Sequence, residues 1–384
     1  MKTTRRTFLA GLAGTAFAGV AGQPLSAMAA TGSDDLPAFL SADAGPDGFG
    51  VGLLDGQGHL LAQLPLPGRG HGAALSPDCR QAIVFARRPG LFAIVIDLHE
   101  RRQVASFQPP ADRHFFGHGC YSPDGRLVFA TENDFRGERG VIGIYDTRRN
   151  FRRVGEFDSA GIGPHELVLN ADGRTATIAN GGILTHPDFP RRKLNLADMK
   201  PSLVTMDLQS GTIVHQAFLP PALHQLSIRH LTEAAPGEVW FGCQYQGPPT
   251  DEVPLVGVYR RDTDPGIEML AMADNGYRRF RQYIGSVAAT GDGQTVVTTS
   301  PRGNVAQLWD RERRIALLAE PLTDVCGAAG TADGFLLTDG AGRQHRLHGS
   351  GENPWHVDTA PGPLTGLAWD NHLTPVRRHP GTPA

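Results

Sequence analysis

The sequence contains few of the features that specify disulfide scaffolds, membrane spans or long helices. Four cysteines occur in 384 residues and none forms a C-x-x-C pair, so free thiols are expected rather than a disulfide framework. After the first 30 residues no segment is long and apolar enough to cross a bilayer, and none shows helical amphipathic periodicity. A net charge of −3 gives no electrostatic footprint for nucleic acid or anionic membranes. Neither a nucleic-acid partner nor membrane insertion is expected.

Sequence signatures of catalysis are also missing. The chain has no G-x-S-x-G, no H-E-x-x-H, no Walker A motif and no EF-hand loop. Glu166, next to His165, is a candidate general base, but the sequence names no nucleophile for it. The sequence therefore specifies no reaction and favours a non-enzymatic protein.

The N-terminal residues predict the cellular compartment of the protein. Arg5 and Arg6 precede an apolar run over residues 8–20, and Ala27-Met28-Ala29 forms a small-residue cleavage site. The paired arginines indicate the twin-arginine (Tat) route, and the run is too short for a membrane anchor. We expect a signal peptide over 1–29 cleaved near Ala29, the Tat translocase as an export partner, and a periplasmic mature protein forming one domain over 30–384.

Glycine and proline are abundant and evenly spread, which leaves little room for long helices. Between them a motif recurs, in which a histidine is followed by an apolar strand and a Ser-Pro-Asp or Asp-Gly turn. The same interval separates His71, His118 and His165, and each is followed by three further short strands. Four strands in each of several units of about 40–50 residues predict the blades of a β-propeller.

Counting the first strands predicts an all-β, seven-bladed propeller. In the seventh blade, a C-terminal strand over residues 364–369 is expected to join N-terminal strands within 38–64 and close the ring. This closure would protect the sheet edges. Two insertions interrupt the repeat, at residues 181–200 and 274–283.

The repeat predicts a histidine-lined channel mouth. His71, His118, His165 and His230 lie at the start of four consecutive first strands, which line the channel of a propeller, and are the candidate metal ligands. Imidazole suits iron, copper, zinc and nickel, so a transition metal is the cofactor that these residues predict. Two alternatives stay open, in which the rings bind an anion or water, or only hydrogen-bond neighbouring blades. We expect the mouth to be solvated.

Further ligand-binding candidates surround this mouth. Both insertions should open on the histidine face, where basic and aromatic side chains would meet a ligand or partner. A solvated turn and local ion pairs are the alternative. The candidate ligand-binding residues are Arg69, Glu166, His186, Arg191, Arg229, Arg279 and Arg281.

The chain resembles domain-of-unknown-function family 1513 over most of its length after the signal. The motifs include Arg69-Gly-His-Gly72, Gly163-Pro-His-Glu-Leu167, Asn180-Gly-Gly-Ile183, Lys193-Leu-Asn-Leu196, Leu226-Ser-Ile-Arg-His-Leu231 and Arg279-Phe-Arg-Gln-Tyr-Ile-Gly-Ser286. The resemblance implies a Tat-exported, propeller-like protein encoded near imelysin-like iron-uptake lipoproteins and di-haem cytochrome-like proteins. It implies no catalytic residue.

Three functions follow from these observations. The first is a non-enzymatic periplasmic accessory in iron or other metal handling, with a periplasmic iron-uptake protein as partner. The second is a metal-dependent periplasmic oxidoreductase that uses the same residues. The third is a protein-interaction scaffold, a common use of propellers without catalytic motifs.

Overall fold

The computed structural model describes residues 36–189, 192–264, 266–273, 276–349 and 354–380. Within them, seven antiparallel sheets form a β-propeller, so the predicted fold class is confirmed. In six blades four strands pair in chain order, each with the next. The first strands of successive blades contact one another and line the centre.

The closing blade and the first two repeat blades are described first. We number the blades from the first complete repeat. Blade 7 contains β1 (Phe39–Gly45), β2 (Gly48–Leu54) and β3 (Leu60–Leu66). Blades 1 and 2 contain β4 (Gly70–Leu75), β5 (Gln81–Ala86), β6 (Ala93–Asp97), β7 (Arg102–Phe107), β8 (Arg113–Tyr121), β9 (Leu127–Asp134), β10 (Arg139–Asp146) and β11 (Arg152–Asp158).

Blades 3 to 6 repeat the same four-stranded unit. Their strands are β12 (Pro164–Leu169), β13 (Thr175–Asn180), β14 (Ser202–Asp207), β15 (Ile213–Phe218), β16 (Leu226–Ala235), β17 (Glu238–Tyr245), β18 (Val256–Arg260), β19 (Ile267–Met269), β20 (Ser286–Ala289), β21 (Thr295–Ser300), β22 (Val305–Asp310), β23 (Ile315–Pro321), β24 (Val325–Gly330), β25 (Gly334–Asp339), β26 (Gln344–His348) and β27 (His356–Ala360). The helices of the described chain are single 3₁₀ turns at Thr147–Arg149, Leu196–Asp198, Pro221–Leu223 and Gly276–Phe280. None of them is long and apolar enough to span a membrane.

The ring is closed as predicted, by C-terminal residues pairing with the N-terminal strand β1. The closing strand has two short pieces, β28 (Ala368–Trp369) and β29 (Thr374–Pro375), and both pair with β1. β28 lies within the predicted range of 364–369, and β29 extends the pairing beyond it. The segment between the two pieces leaves the ladder, and this interruption shapes the site.

The turns between the first and second strands explain the repeat in the sequence. In blade 1 the Ser76 hydroxyl donates to Asp78, and in blade 2 Ser122 donates to Asp124, each over 2.6 Å. Thr290 and Asp292 repeat the contact in blade 5. Such side-chain bonds favour tight turns over continued strands.

Apolar side chains of adjacent blades form the core. The two middle strands of blade 1, β5 and β6, are almost entirely buried, whereas the outer strand β7 is mostly exposed. Between blades 1 and 2, the rings of Phe85 and Phe115 lie 5.5 Å apart, edge to face. All four cysteines are free, as expected, and Cys243 and Cys326 are buried.

Both insertions lie at the end of the ring where the first strands begin. In the first, the Asn195 amide bonds the backbone of Leu184 and of Gly182. In the second, the Tyr277 hydroxyl donates to the Leu270 carbonyl, and Phe280 is buried. The Asn195 contacts join two parts of the first insertion to each other, and the backbone N–H of Gly181 fastens it to blade 3 by donating to the Gly163 carbonyl. The Tyr277 contact fastens the described part of the second insertion to the end of blade 4.

Candidate functional site

The histidines lie where the first strands are distorted. Register shifts interrupt β4 between Gly70 and Ala73, at His71, and β8 between Phe115 and Gly119, at His118. In β12 the bulged residue is His165 itself. A bulge bends the strand and re-aims side chains, which is why bulges are frequent at functional sites.

The four predicted histidines form one cluster. The ring of His165 lies 5.6 Å from His71, 5.2 Å from His118 and 5.2 Å from His230, measured between centroids. His71 and His118 are 4.9 Å apart. In blade 4 the bulge falls at Arg229, so His230 enters the cluster from the next position.

A fifth histidine, which sequence reasoning missed, occupies the centre of the cluster. His372 lies between β28 and β29, with its ring 4.5 Å from both His71 and His118 and 4.9 Å from His230. Sequence reasoning missed it because the closing strand was expected to end at residue 369. The sequence feature that could have identified His372 is its position directly after Trp369-Asp370-Asn371. We call His71, His118, His165, His230 and His372 the histidine cluster.

His71, His118 and His230 are buried and His165 and His372 are half-buried, so the mouth is less solvated than expected. His71 and His118 are each 5% exposed and His230 is 1% exposed. Burial lowers the pKa of all five imidazoles, and the positive charges nearby lower most of them further. Neutral rings therefore predominate at pH 7, and a neutral imidazole has one ring nitrogen with an available lone pair.

Several ring nitrogens have no hydrogen-bond partner among the described residues. They are Nε2 of His118, His165 and His372, and both nitrogens of His230. A buried polar group without a partner costs about 1–3 kcal/mol, so such groups are rare unless a ligand or water meets them. The purely structural alternative requires these rings to bond backbone carbonyls, and in the described part of the chain none of them does.

Two carboxylates flank the cluster. His71 Nδ1 lies 3.1 Å from Asp370 Oδ1 and donates to it, which leaves Nε2 as the acceptor. Glu166 Oε2 lies 3.4 Å from His230 Nδ1, and Oε1 lies 3.9 Å from His118 Nδ1. Burial raises the pKa of Glu166 to about 8. Burial alone would raise the pKa of Asp370, but His71, Arg69 and Arg87 hold it well below its usual range.

Two overlapping groups of side chains could each hold a metal ion. The potential ligand atoms of His71, His118 and His372 lie within 4.8 Å of one another, and so do those of Glu166, His230 and His372. His165 belongs to neither group. Its Nδ1 lies 3.2 Å from Nη1 of Arg229, which can only donate, so the remaining proton of the ring is on Nε2.

A cavity of about 640 Å³ extends from the cluster along the first strands. Its walls include His118, Glu166 and His372 at one end and the turn prolines Pro77 and Pro123 at the other. Most of the wall between them is formed by small and apolar side chains. A small molecule therefore has space beside the histidines, on the side of the channel away from the insertions.

The predicted ligand-binding residues divide into two sets. Glu166 and Arg229 contact histidines of the cluster directly. Arg69 is linked to it through a 2.5 Å bond to Asp370, which bonds His71. Arg191 lies outside the described residues.

His186, Arg279 and Arg281 do not converge on the histidines as expected. The ring of His186 contacts Phe135 and Phe189, which hold it at the edge of the face. Arg279 and Arg281 are exposed, with no contact to the cluster in the described structure. Their sequence spacing placed them on the correct loops, but it did not specify side-chain direction. A role for them in ligand binding stays a prediction.

Comparisons with known proteins agree on the fold. Hydrazine synthase of Kuenenia stuttgartiensis superposes with a TM-score of 0.60 at 14% identity, over 88% of this chain and 99% of that chain. The β-propeller domain of Cps50 (Swd1) from Myceliophteria thermophila gives 0.56 at 12% identity, over the same shares. Such low identities show the fold alone, and no curated protein matches the sequence. Because the model of the family described as a protein of unknown function, DUF1513, matches residues 64–376, the chain belongs to that family.

Proposed function

We propose that this protein is a non-enzymatic accessory that binds a transition-metal ion at the histidine cluster. The observation that supports this most directly is the pair of three-residue ligand groups that share His372. Bonds of about 2.0–2.1 Å place two ligands of one ion no more than about 4.2 Å apart. Ligand atoms already within 4.8 Å need only small ring rotations to reach that spacing.

The chemistry of the donors favours a transition metal over calcium or magnesium. Four neutral imidazoles and one carboxylate make up the two groups, whereas calcium and magnesium require mostly oxygen ligands. Iron and copper are the ions we propose, because imidazole suits both and the family resemblance implies metal handling. The bond from His71 to Asp370 is the arrangement by which a carboxylate orients a metal-binding histidine.

The unpartnered nitrogens also support metal binding, because they destabilise the metal-free protein. Five buried ring nitrogens without a hydrogen bond are a cost that folding must offset elsewhere. Coordination would remove part of that cost. It would also explain why blades 1 and 2 both place a histidine at the same level, at His71 and His118.

The cavity supports the alternative of a metal-dependent oxidoreductase. A metal enzyme needs an open coordination position and a route for its substrate, and the cavity reaches His118, Glu166 and His372. The accessory role remains our main proposal, because the sequence contains no catalytic motif. Turnover of redox dyes by the metal-loaded protein would favour the enzyme.

The location and partner are part of the same proposal. The paired arginines before an apolar run support Tat export and a periplasmic site of action. A periplasmic iron-uptake protein is the partner that the family resemblance suggests. A metal-free protein that captures such a partner would instead favour the scaffold.

Elemental analysis of protein purified from its own periplasm tests the metal proposal. We expect stoichiometric iron or copper in the wild type and its loss in a His118→Ala, His372→Ala double variant. The control is His345→Gln, since His345 is a buried histidine outside the cluster that bonds Thr359 and Asp339 on blade 6. Protein that is metal-free as isolated and binds neither Fe²⁺ nor Cu⁺ on titration would overturn the proposal.

A further inference from the structure

A second group of charged residues lies beside the histidine cluster and has no role in the metal proposal. Arg88, Lys193, Arg229 and Arg302 come from blades 1, 3, 4 and 5, and we call them the basic quartet. Arg229 belongs to a first strand, and the other three belong to loops between second and third strands. Both positions lie at the end of the ring where the histidines are found.

No member of the basic quartet has a carboxylate partner among the residues that the structure describes. Lys193 donates to the Gln246 side-chain oxygen, and Arg302 lies 4.4 Å above the Tyr283 ring. The nearby Asp370 already bonds Arg69 and His71, and it lies 3.7 Å from Arg87. Among the described residues, no acidic side chain therefore pairs with any of these four positive charges.

Arg229 makes this excess unusual, because its guanidinium is buried. The residue is 9% exposed, Nη1 meets only the neutral His165 ring, and Nε has no hydrogen-bond partner in the described chain. A buried cation without an anion is strongly unfavourable. Burial and the charge of Arg88 lower the pKa of Arg229 to about 9. Burial and the charges of Arg229, Arg302 and Arg88 also lower the pKa of Lys193.

Contacts connect the basic quartet to the rim of the histidine cluster. Tyr283, beneath Arg302, accepts from the Asn371 amide over 3.1 Å. Asn371 in turn precedes His372, and its backbone N–H donates to Asp370. The cations and the histidines thus lie at the same end of the propeller.

We propose that the basic quartet binds a small polyvalent oxyanion, phosphate-like or polycarboxylate, next to the histidine cluster. Guanidinium groups recognise phosphate and carboxylate oxygens through paired N–H donors, and several converging cations favour a multiply charged ligand. Arg229 would supply the buried contact. Arg302 and Lys193 would supply contacts from the rim. This inference does not depend on the metal, since none of the four side chains is a candidate metal ligand.

The test is an anion titration of the metal-stripped full chain at low ionic strength. Sodium phosphate and sodium citrate are added separately, and calorimetry and the shift in melting temperature report binding. We expect at least one of them to bind and added sodium chloride to weaken it. The preferred anion distinguishes phosphate from polycarboxylate chemistry. Because the protein is metal-free, failure of the metal proposal would not affect the result.

Matched variants assign the binding to the basic quartet. Arg229→Gln should weaken binding by at least about tenfold, the scale of a charge-assisted hydrogen bond. Lys193→Gln and Arg302→Gln should weaken it about two- to fivefold each and, being exposed, should leave the fold intact. The control is Arg278→Gln, since Arg278 is exposed on the same end and pairs with Glu252. No binding of either anion, or an equal effect of the control, would overturn the inference.

Discussion

At the scale of single residues, hydrogen-bond partners separate histidines with different roles. His345 has partners on both ring nitrogens and stabilises its blade, whereas His230 has none on either. His165 lies between these cases, because Arg229 fixes its tautomer and removes it from the ligand groups. The sequence predicted four equivalent histidines, and it could not predict these differences because they depend on neighbours from other blades.

The first prediction concerns the stability cost of His230. In the metal-free protein, His230→Leu should leave the melting temperature unchanged or raise it, because an unpartnered polar ring is replaced by an apolar side chain. The same change should reduce the metal content. As a control, His345→Leu removes a ring with both nitrogens bonded and should destabilise the protein by roughly 1–3 kcal/mol. A large loss of stability in His230→Leu would instead indicate a structural histidine.

At the scale of strands and loops, the apolar runs and turn motifs predicted most of the fold. The repeat predicts four short strands in each unit, and blades 1 to 6 each contain four. This prediction succeeded because apolar runs and Ser-Pro-Asp turns are local properties of the sequence. The bulges and the interrupted closing strand could not be predicted, because both depend on contacts between distant strands.

That interruption explains why the site was predicted only in part. Asp370 and His372 reach the cluster because the chain leaves the ladder between β28 and β29. A regular strand over residues 364–369 would have ended before both of them. The first three histidines were found because their repeat is regular, while His372 has no repeated motif around it.

His114 joins β8 to the first insertion, and its titration gives the second prediction. Its Nδ1 donates to the Phe115 carbonyl, and its Nε2 accepts from the Asn133 amide, which also donates to the Thr185 carbonyl. Burial lowers the pKa of His114 to about 4. The unfolded chain therefore takes up a proton, at a pKa of about 6.5, that the folded protein does not.

The expected consequence is a loss of stability as the pH falls from about 6.5 to about 4. His114→Gln cannot titrate in this range, so its free energy of unfolding should fall less over the same interval. Urea unfolding of the metal-free proteins at several pH values measures both profiles. Parallel profiles for the wild type and the variant would contradict the assignment.

At the scale of the whole molecule, the fold depends on contacts between the two ends of the described chain. Trp369 of β28 is 3% exposed, packs against β2 at Gly52, and donates from its indole to the Gly342 carbonyl over 2.9 Å. Gly52 has no side chain, and a Cβ there would collide with the indole at 2.8 Å. The Trp369 side chain therefore fills the space between the closing strand and β2.

The third prediction tests that closure. Trp369→Ala should destabilise the protein by roughly 3–5 kcal/mol, as a large cavity would form and the strand next to His372 would lose its anchor. Trp355→Ala is the control, because Trp355 is only partly buried, against the cluster between blades 5 and 6. Urea unfolding gives both values. An equal loss in the two variants would show that closure contributes no more than ordinary packing.

The fourth prediction concerns export. Because β28 and β29 pair with β1, the ring can close only when nearly the whole chain is available, which suits a route that transports folded proteins. The signal over residues 1–29 lies outside the described residues, so its role stays a prediction. Replacing Arg5 and Arg6 with lysine should leave full-length precursor in the cytoplasm, since the Tat route requires the arginine pair and not only its charge. Lys2→Gln removes a charge without touching the pair and should be exported normally. Fractionation and immunoblotting measure both, and periplasmic accumulation of the double-lysine variant would exclude the Tat route.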